Sequence, residues 1–443
     1  MLVLRTGVKY MADVQPLRGL RYAREKVGDL SQVVTPPYDI ISKKAQERYY
    51  TRHPQNIIRL ELGKEEPTDN TINNVYTRAA AMYAQWRAED ILAQDATPCY
   101  YLYQQTFQHG GHTYTRTSLL ARVRLEPWST RVVLPHEHTL AKAKMDRLNL
   151  YRACATNFSP IMSMYEDPQG RIRRLLSTYT SQPEIAITDE FGEEHRLQPL
   201  REAQDIALIQ DFFAQRQLYI ADGHHRYETA LAYQAEILEQ RKELHPDDGV
   251  NFTLMALIDL DDPGWLVLPT HRLLFNLNQD ALDALSARQL ARHFTVQELT
   301  ETNETVLQRL GEAGQHEPSF VLQTANQRLL LRLNEQGRRY MEGSGHSAAW
   351  NKTDVALAQR LILEEAAGIS VADIAGGMHI RFTHDARQAF QALEDGEVQA
   401  ALFLNSTPLR QVCEVAQADD RMPQKSTYLY PKLITGLVMN PLW

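Results

Sequence analysis

No apolar run in the 443 residues approaches the ~18 that a bilayer-spanning helix requires. The opening MLVLRTGVKY has neither a long apolar core nor a small-residue cleavage site, so no secretory leader is expected, and Met11 is an alternative start to Met1. Cysteine is scarce. Cys99, Cys154 and Cys413 are three in number, far apart and without a C-x-x-C pair. That excludes a disulfide framework and a four-thiolate zinc site, and it points to a reducing cytoplasm. Basic excess is missing as well: 47 Lys and Arg stand against 55 Asp and Glu, a net charge of −8. Without a basic tail no nucleic-acid partner is expected. The Walker, H-E-x-x-H and G-x-S-x-G patterns do not occur. Gly343–Ala348 spells G-x-G-x-x-A, but no strand leads into it and no dinucleotide site is expected there.

What is present describes a folded chain. Hydrophobic residues make up 43% and charged residues 23%, the balance of soluble globular domains. At ~150 residues per domain the length fits two to three domains. Residues 33–41 break at Pro36-Pro37, and 56–62 alternate apolar and polar side chains as a strand would. A helix is predicted over 73–89, with Val75, Ala79, Met82, Tyr83 and Trp86 on one face. Residues 99–108 and 113–125 read as a hairpin around Gly110-Gly111, flanked by His109 and His112. A basic helix is expected at 140–155. Then come a strand ending at 218–220, a turn, a helix, and a buried strand over 252–260.

Beyond 276 the pattern predicts a helix over 281–293 and strands at 320–324 and 329–333. A helix over 353–367, strand 379–383, helix 385–394, strand 400–404, helix 407–416 and a polar loop follow. Such alternation argues for an α/β or α+β fold, and α+β is the class expected. It divides into an N-terminal α+β region (1–130), a core (131–275), an accessory subdomain (276–345) and a C-terminal α/β region (346–443) that completes the site.

Three segments could carry chemistry. In Asp222-Gly223-His224-His225-Arg226 a strand runs through glycine into a helix. Such a turn aims backbone N–H groups and the positive end of the helix dipole at an anion. Arg226 adds a guanidinium fork, the two imidazoles can donate or take protons, and Asp222 could hold Mg²⁺ or orient one imidazole. An ordinary turn with Asp as the cap would look similar. In His136-Glu137-His138-Thr139, ahead of Lys142, Lys144, Asp146 and Arg147, Glu137 sits where a general base can act near cations. A solvated amphipathic helix accounts for those charges equally well. The third segment, Arg421–Tyr428, places Lys425, Ser426 and Thr427 where they could clamp phosphate or carboxylate, although such loops are commonly plain surface.

Leu218–Tyr227 resembles the signature strand–helix turn of the ParB/sulfiredoxin superfamily, and within it the free serine kinases, which phosphorylate the L-serine hydroxyl from a nucleotide donor. The likeness extends in order to Pro135-His136-Glu137 and to Met422–Thr427. Over 16–440 the chain also resembles a conserved bacterial family without an assigned activity, through Thr35–Asp39, Asn56–Leu62 and Lys425–Lys432. His224 stands where sulfiredoxins need cysteine, which argues against sulfinate reduction.

The resemblance implies a nucleotide-binding core with N-terminal, inserted and C-terminal additions. It also implies a small-molecule kinase using ATP or ADP with Mg²⁺ and a hydroxyl-bearing metabolite, with no oligomeric state specified. Its site would comprise Glu137, Asp222 and His225 as catalytic groups. Gly223, His224, His225, Arg226 and Lys425 would hold phosphate, His136, Ser426, Thr427 and Arg147 the substrate, and Asp222 the metal. Two other activities fit the same residues: a metal-dependent hydrolase with His136, His138, His224 and His225 on zinc, and a nucleotide-hydrolysing switch. A purely structural protein is the remaining alternative.

Overall fold

The computed structural model describes residues 12–139 and 141–443; the two alternative start residues and the side chains of 140–143, Lys142 included, lie outside the described residues. No helix among the described residues is long and apolar enough to cross a membrane. The chain forms two compact units that interleave in sequence. The first runs to Pro135 and adds Thr139–Trp265 and Pro431–Trp443; the second takes His136–His138 and Leu266–Tyr430.

The first unit is built on a nine-stranded sheet. Its strands are β1 (Val14–Gln15), β2 (Tyr100–His109), β3 (His112–Arg124), β4 (Val133–Leu134), β5 (Ile161–Tyr165), β6 (Ile185–Thr188), β7 (Glu194–Leu200), β8 (Leu218–Asp222) and β9 (Phe252–Asp259). Their order is β4-β8-β5-β9-β3-β2-β7-β6, with β1 paired to β3. The β4–β8 and β5–β9 pairs are parallel. Every residue of β9 is buried, as the apolar run Leu254–Ile258 within it requires for a strand covered on both faces. The hairpin of β2 and β3 turns through Gly110 and Gly111, both at positive φ, with His109 opposite His112. Four longer helices belong to this unit: α1 (Val75–Ala88), α2 (Ala141–Cys154), α3 (Ala203–Phe213) and α4 (His224–Arg241). Asn74 caps α1 by accepting the Tyr76 and Thr77 N–H groups. Tyr151 of α2 meets Tyr233 of α4 at 5.6 Å, and Trp128 stacks on Tyr227 at 4.6 Å, so aromatic packing fixes where α4 begins.

The second unit carries a six-stranded antiparallel sheet of β10 (His271–Leu274), β11 (Phe294–Glu298), β12 (Ser319–Thr324), β13 (Arg328–Leu333), β14 (Ile380–Thr383) and β15 (Ala400–Leu404), in the order β11-β13-β12-β15-β10-β14. Val306 and Leu310 of α5 (Asn303–Gly314) and Phe390 of α6 (Ala386–Glu394) join Val321 and Phe403 in its core. A separate two-stranded ladder pairs Leu266–Leu268 with Tyr428–Tyr430.

The mixed α+β architecture is as expected, but several elements differ. Residues 56–62 form no strand: Ile58–Glu61 is a helical turn. Asn56 accepts the Ile58 N–H at 3.0 Å and donates to the Gln32 carbonyl at 2.7 Å, and Ile57, Ile58, Leu60 and Glu61 are all buried, a run that alternation cannot produce. The helix expected over 281–293 is two short ones, Gln279–Ala284 and Ala287–Leu290, because Leu285 ends the first and Ser286 starts the second. Helix α5 went unread although Thr302 caps it by accepting the Thr305 N–H, and Glu335–Glu342 is a further unread helix. Over 353–367 a short α-turn, Asp354–Leu357, passes into a π-helix, Ala358–Ala366. The loop after 416 contains the strand Tyr428–Tyr430.

Candidate functional site

In the first unit, β8 delivers the Asp222 turn through a register shift against β5 between Ile220 and Asp222. A bulge there re-aims the side chains at the strand end. Gly223 then adopts φ 97°, the left-handed region, and opens the 18-residue α4. Without a side chain it offers no competing cap to the first turn. A Cβ at this position would also come within 3.0 Å of the Arg226 guanidinium. Gly223→Ala is therefore expected to lower unfolding stability by about 1–2 kcal/mol, the cost of a left-handed L-residue, as read by urea denaturation.

Asp222 is the centre of a buried charge cluster. One carboxylate oxygen accepts from Lys432 Nζ, and the other from Arg226 Nη2 at 2.8 Å. Burial alone would raise this carboxyl, but Lys432 and Arg226 hold it well below the usual carboxylate range. Arg226 also donates Nη1 to the Pro160 carbonyl and is only 7% exposed. The guanidinium expected to grip phosphate is thus turned onto protein partners. Both oxygens of the expected Mg²⁺ ligand are likewise engaged by cations. His224 is buried and His225 half-buried, and the His225 carbonyl accepts the Thr229 hydroxyl at 2.7 Å.

Sequence reasoning passed over four residues of this cluster. Lys432 is one, and its backbone is itself pinned, its carbonyl accepting Gln105 Nε2 at 3.2 Å. The others are Glu61, Tyr38 and Ser159. Arg147 is 5% exposed, lies 3.5 Å from the Glu61 carboxylate, and sits over the Tyr38 ring at 4.0 Å. Ser159 donates to the same carboxylate at 3.0 Å. Burial pushes the Glu61 carboxyl up against the pull of Arg147, and burial pushes Tyr38 up to about 12. Arg147, read from sequence as a substrate contact, is an interior counter-ion here. The motifs at 35–39, 56–62 and 425–432 contain Tyr38, Glu61 and Lys432, so the signal was present as a family likeness rather than as chemistry.

In the second unit the upstream and C-terminal motifs converge. Glu137 and Met422 form a parallel bridge, and the His136 carbonyl accepts the Met422 N–H at 2.8 Å. Glu137 Oε1 accepts the Lys425 N–H at 3.3 Å, and His136 Nε2 lies 3.5 Å from the Thr427 hydroxyl. Lys425 itself has φ 58°, so its side chain leaves the loop at a sharp turn. The Ser426 hydroxyl donates to the Pro423 carbonyl, its own carbonyl accepts the Thr407 hydroxyl, and the residue is buried. His136 is 2% exposed. Of the residues expected to touch substrate here, His136 and Ser426 serve to hold the loop, while Glu137, Lys425 and Thr427 remain at its surface-facing edge.

Among the described residues, the group of three or more ligands close enough to share an ion does not include His136, His138, His224 or His225. A cavity of about 810 Å³ in the first unit is lined by Arg21, Asp29, Asp95 and Glu184, among others, and by none of the site residues read from sequence.

Among curated proteins no sequence matches the chain. Solved structures similar to it include a free serine kinase in complex with AMP, at 11% identity and TM-score 0.34, covering 69% of this chain and 88% of that one. A mutant free serine kinase in complex with ADP matches at 11% identity and TM-score 0.35, covering 69% and 89%. SbnI with a C-terminal truncation, from Staphylococcus aureus, matches at 11% and 0.35, covering 73% and 87%. Residues 14–356 match the family described as protein of unknown function, DUF1015, and the chain belongs to that family.

Proposed function

We propose that this protein is a nucleotide-dependent kinase that phosphorylates the hydroxyl of a small metabolite of the free L-serine class. The observation that carries this reading is the turn at 222–226: a bulged strand, a left-handed glycine and a long helix whose first two residues are histidines. That combination favours a polyphosphate, since the helix start and two imidazole donors stabilise negative charge where it builds up in transfer.

In this reading ATP or ADP, carrying Mg²⁺ on its phosphates, binds at the start of α4 with His224 and His225. Asp222 and Arg226 act as positioning residues that hold the turn rigid. Glu137 is assigned the proton of the attacking hydroxyl, and Lys425 and Thr427, on the same loop system, the acceptor carboxylate. The ParB/sulfiredoxin likeness of 218–227 supports the same assignment. Three buried cysteines, none in a disulfide, suit a reducing cytoplasm.

The test is calorimetric titration with ATP and ADP in the presence of Mg²⁺, followed by mass spectrometry of hydroxyl metabolites, serine first. The parent protein is expected to bind nucleotide and yield a phosphorylated metabolite. His225→Ala is expected to weaken nucleotide binding by about 10–100-fold, the loss of a hydrogen bond to a charged group. Absence of nucleotide binding would overturn the reading. Phosphate release without a phosphorylated metabolite would replace the kinase by a nucleotide-hydrolysing switch.

A further inference from the structure

The turn joining β6 to β7 holds a polar cluster that the proposed kinase chemistry does not use. Asp189, Glu193 and His195 each offer a ligand atom, and these atoms all lie within 4.8 Å of one another. The backbone builds the cluster tightly. Asp189 Oδ1 accepts the N–H groups of Phe191 and Glu193 at 2.9 and 3.0 Å, which turns Oδ2 inward. Glu193 is 6% exposed, and one of its oxygens accepts Gln105 Nε2 at 2.8 Å.

His195 supplies the second, independent observation. It is 0% exposed, and its Nε2 makes no hydrogen bond although it is fully enclosed. It faces Asp189 Oδ2 at 3.4 Å. Its Nδ1 is 2.7 Å from the Tyr103 hydroxyl, and the two rings lie nearly parallel, 10° apart. When Nδ1 donates its proton to Tyr103, Nε2 is left as a bare lone pair aimed into two carboxylates. That is the arrangement by which an outer hydroxyl or carbonyl orients a metal-binding imidazole. The 3.4 Å between His195 Nε2 and Asp189 Oδ2 agrees with the about 3.3–3.4 Å that separates ligands held at about 2.0–2.1 Å from a tetrahedral ion.

We propose that Asp189, Glu193 and His195 form a divalent-metal site, with Zn²⁺ as its ion and solvent in the fourth position. One imidazole and two carboxylates suit a d-block ion better than Mg²⁺, which prefers oxygen alone and keeps its waters. An ion here neutralises two clustered carboxylates that share a single nearly buried pocket. Its role is structural. It ties the β6–β7 turn to β2 through Tyr103 and Gln105, and Gln105 also holds the Lys432 carbonyl. The site stands independently of the nucleotide reading.

The test uses the full chain, stripped with a chelator and reloaded with Zn²⁺ or Co²⁺, then passed through gel filtration. The parent is expected to retain a stoichiometric ion, to show the visible bands of tetrahedral Co²⁺ with nitrogen and oxygen ligands, and to melt at a higher temperature when loaded. His195→Gln and Asp189→Asn are expected to lose the retained ion. Tyr103→Phe, which leaves all three ligands in place, is expected to weaken metal binding by about 10–100-fold. Failure of the parent to retain metal would overturn the proposal in favour of a plain His195–Asp189 ion pair. Unchanged retention in the ligand variants, or a thiolate charge-transfer band that assigns the ion to cysteine, would overturn it as well. Should a ligand variant fail to fold, the parent's Co²⁺ spectrum and Tyr103→Phe still decide.

Discussion

Lys432→Met is expected to destabilise the first unit by about 3–5 kcal/mol, the cost of stranding one member of a buried ion pair. Methionine keeps most of the lysine stem's volume, so packing is largely preserved and the change isolates the charge. Lys432 and Asp222 are 10% and 17% exposed, so water does little to replace the missing ammonium. Arg226 would remain on the other carboxylate oxygen, yet it is already shared with the Pro160 carbonyl. Lys432→Arg should recover most of the loss, because a cation is restored even if its geometry differs.

The pH dependence of this loss has a definite sign. Asp222 titrates lower in the folded chain than in the unfolded one, so the pair stabilises the fold above the unfolded carboxyl's value of about 3.9. That contribution fades as pH falls through the folded value. The deficit of Lys432→Met should therefore be full at neutral pH and narrow below about pH 4. Urea midpoints for parent and variant at pH 7 and pH 3 measure both quantities. A variant within about 1 kcal/mol of the parent at neutral pH would show that the carboxylate is satisfied without the lysine.

The same cluster shows where sequence reading stops. The turn at 222–226 was legible because everything that makes it is local: a strand end, a glycine and an amphipathic helix within ten residues of one another. Lys432 was not, since its partner lies 210 residues away and nothing in its own neighbourhood marks a buried cation. Arg147 reads as a substrate contact, and Glu61 is passed over, for the same reason: the two lie 86 residues apart. A basic residue on a Lys- and Arg-rich helix looks solvated until its partner is known. Residues 56–62 fooled the alternation rule because Asn56 used its side chain to start a turn, a choice of the amide rather than of the hydrophobic pattern. The order of the motifs was informative nonetheless. Pro135–Glu137 and Met422–Thr427 were linked only by that order, and they meet in the second unit through the Glu137–Met422 bridge. The Asp189, Glu193 and His195 set was legible in principle. Three ligand types within seven residues, around a glycine turn between alternating strands, form a local pattern that went unread.

Glu137→Gln is expected to lower turnover of the proposed phosphotransfer by about 10²–10⁴-fold while leaving the fold in place, the range found when a general base is removed. The substitution preserves shape. A glutamine carbonyl can still accept the Lys425 N–H that Glu137 Oε1 accepts at 3.3 Å, and the backbone bridge to Met422 involves no side chain. The loop that carries Lys425 and Thr427 should therefore keep its position, and unfolding stability should change by less than about 1 kcal/mol. Nucleotide affinity should be nearly unchanged, because the phosphates are assigned to the start of α4 and not to this carboxylate. This pattern, kcat lost with binding and stability kept, is what a proton acceptor predicts and a loop anchor does not. If Glu137 were only an anchor, Glu137→Ala would lower stability and turnover together, and Glu137→Gln would restore both. Paired measurement of kcat, nucleotide affinity and urea midpoint for the two variants separates the cases. Turnover of Glu137→Gln within a few-fold of the parent would remove Glu137 from the chemistry.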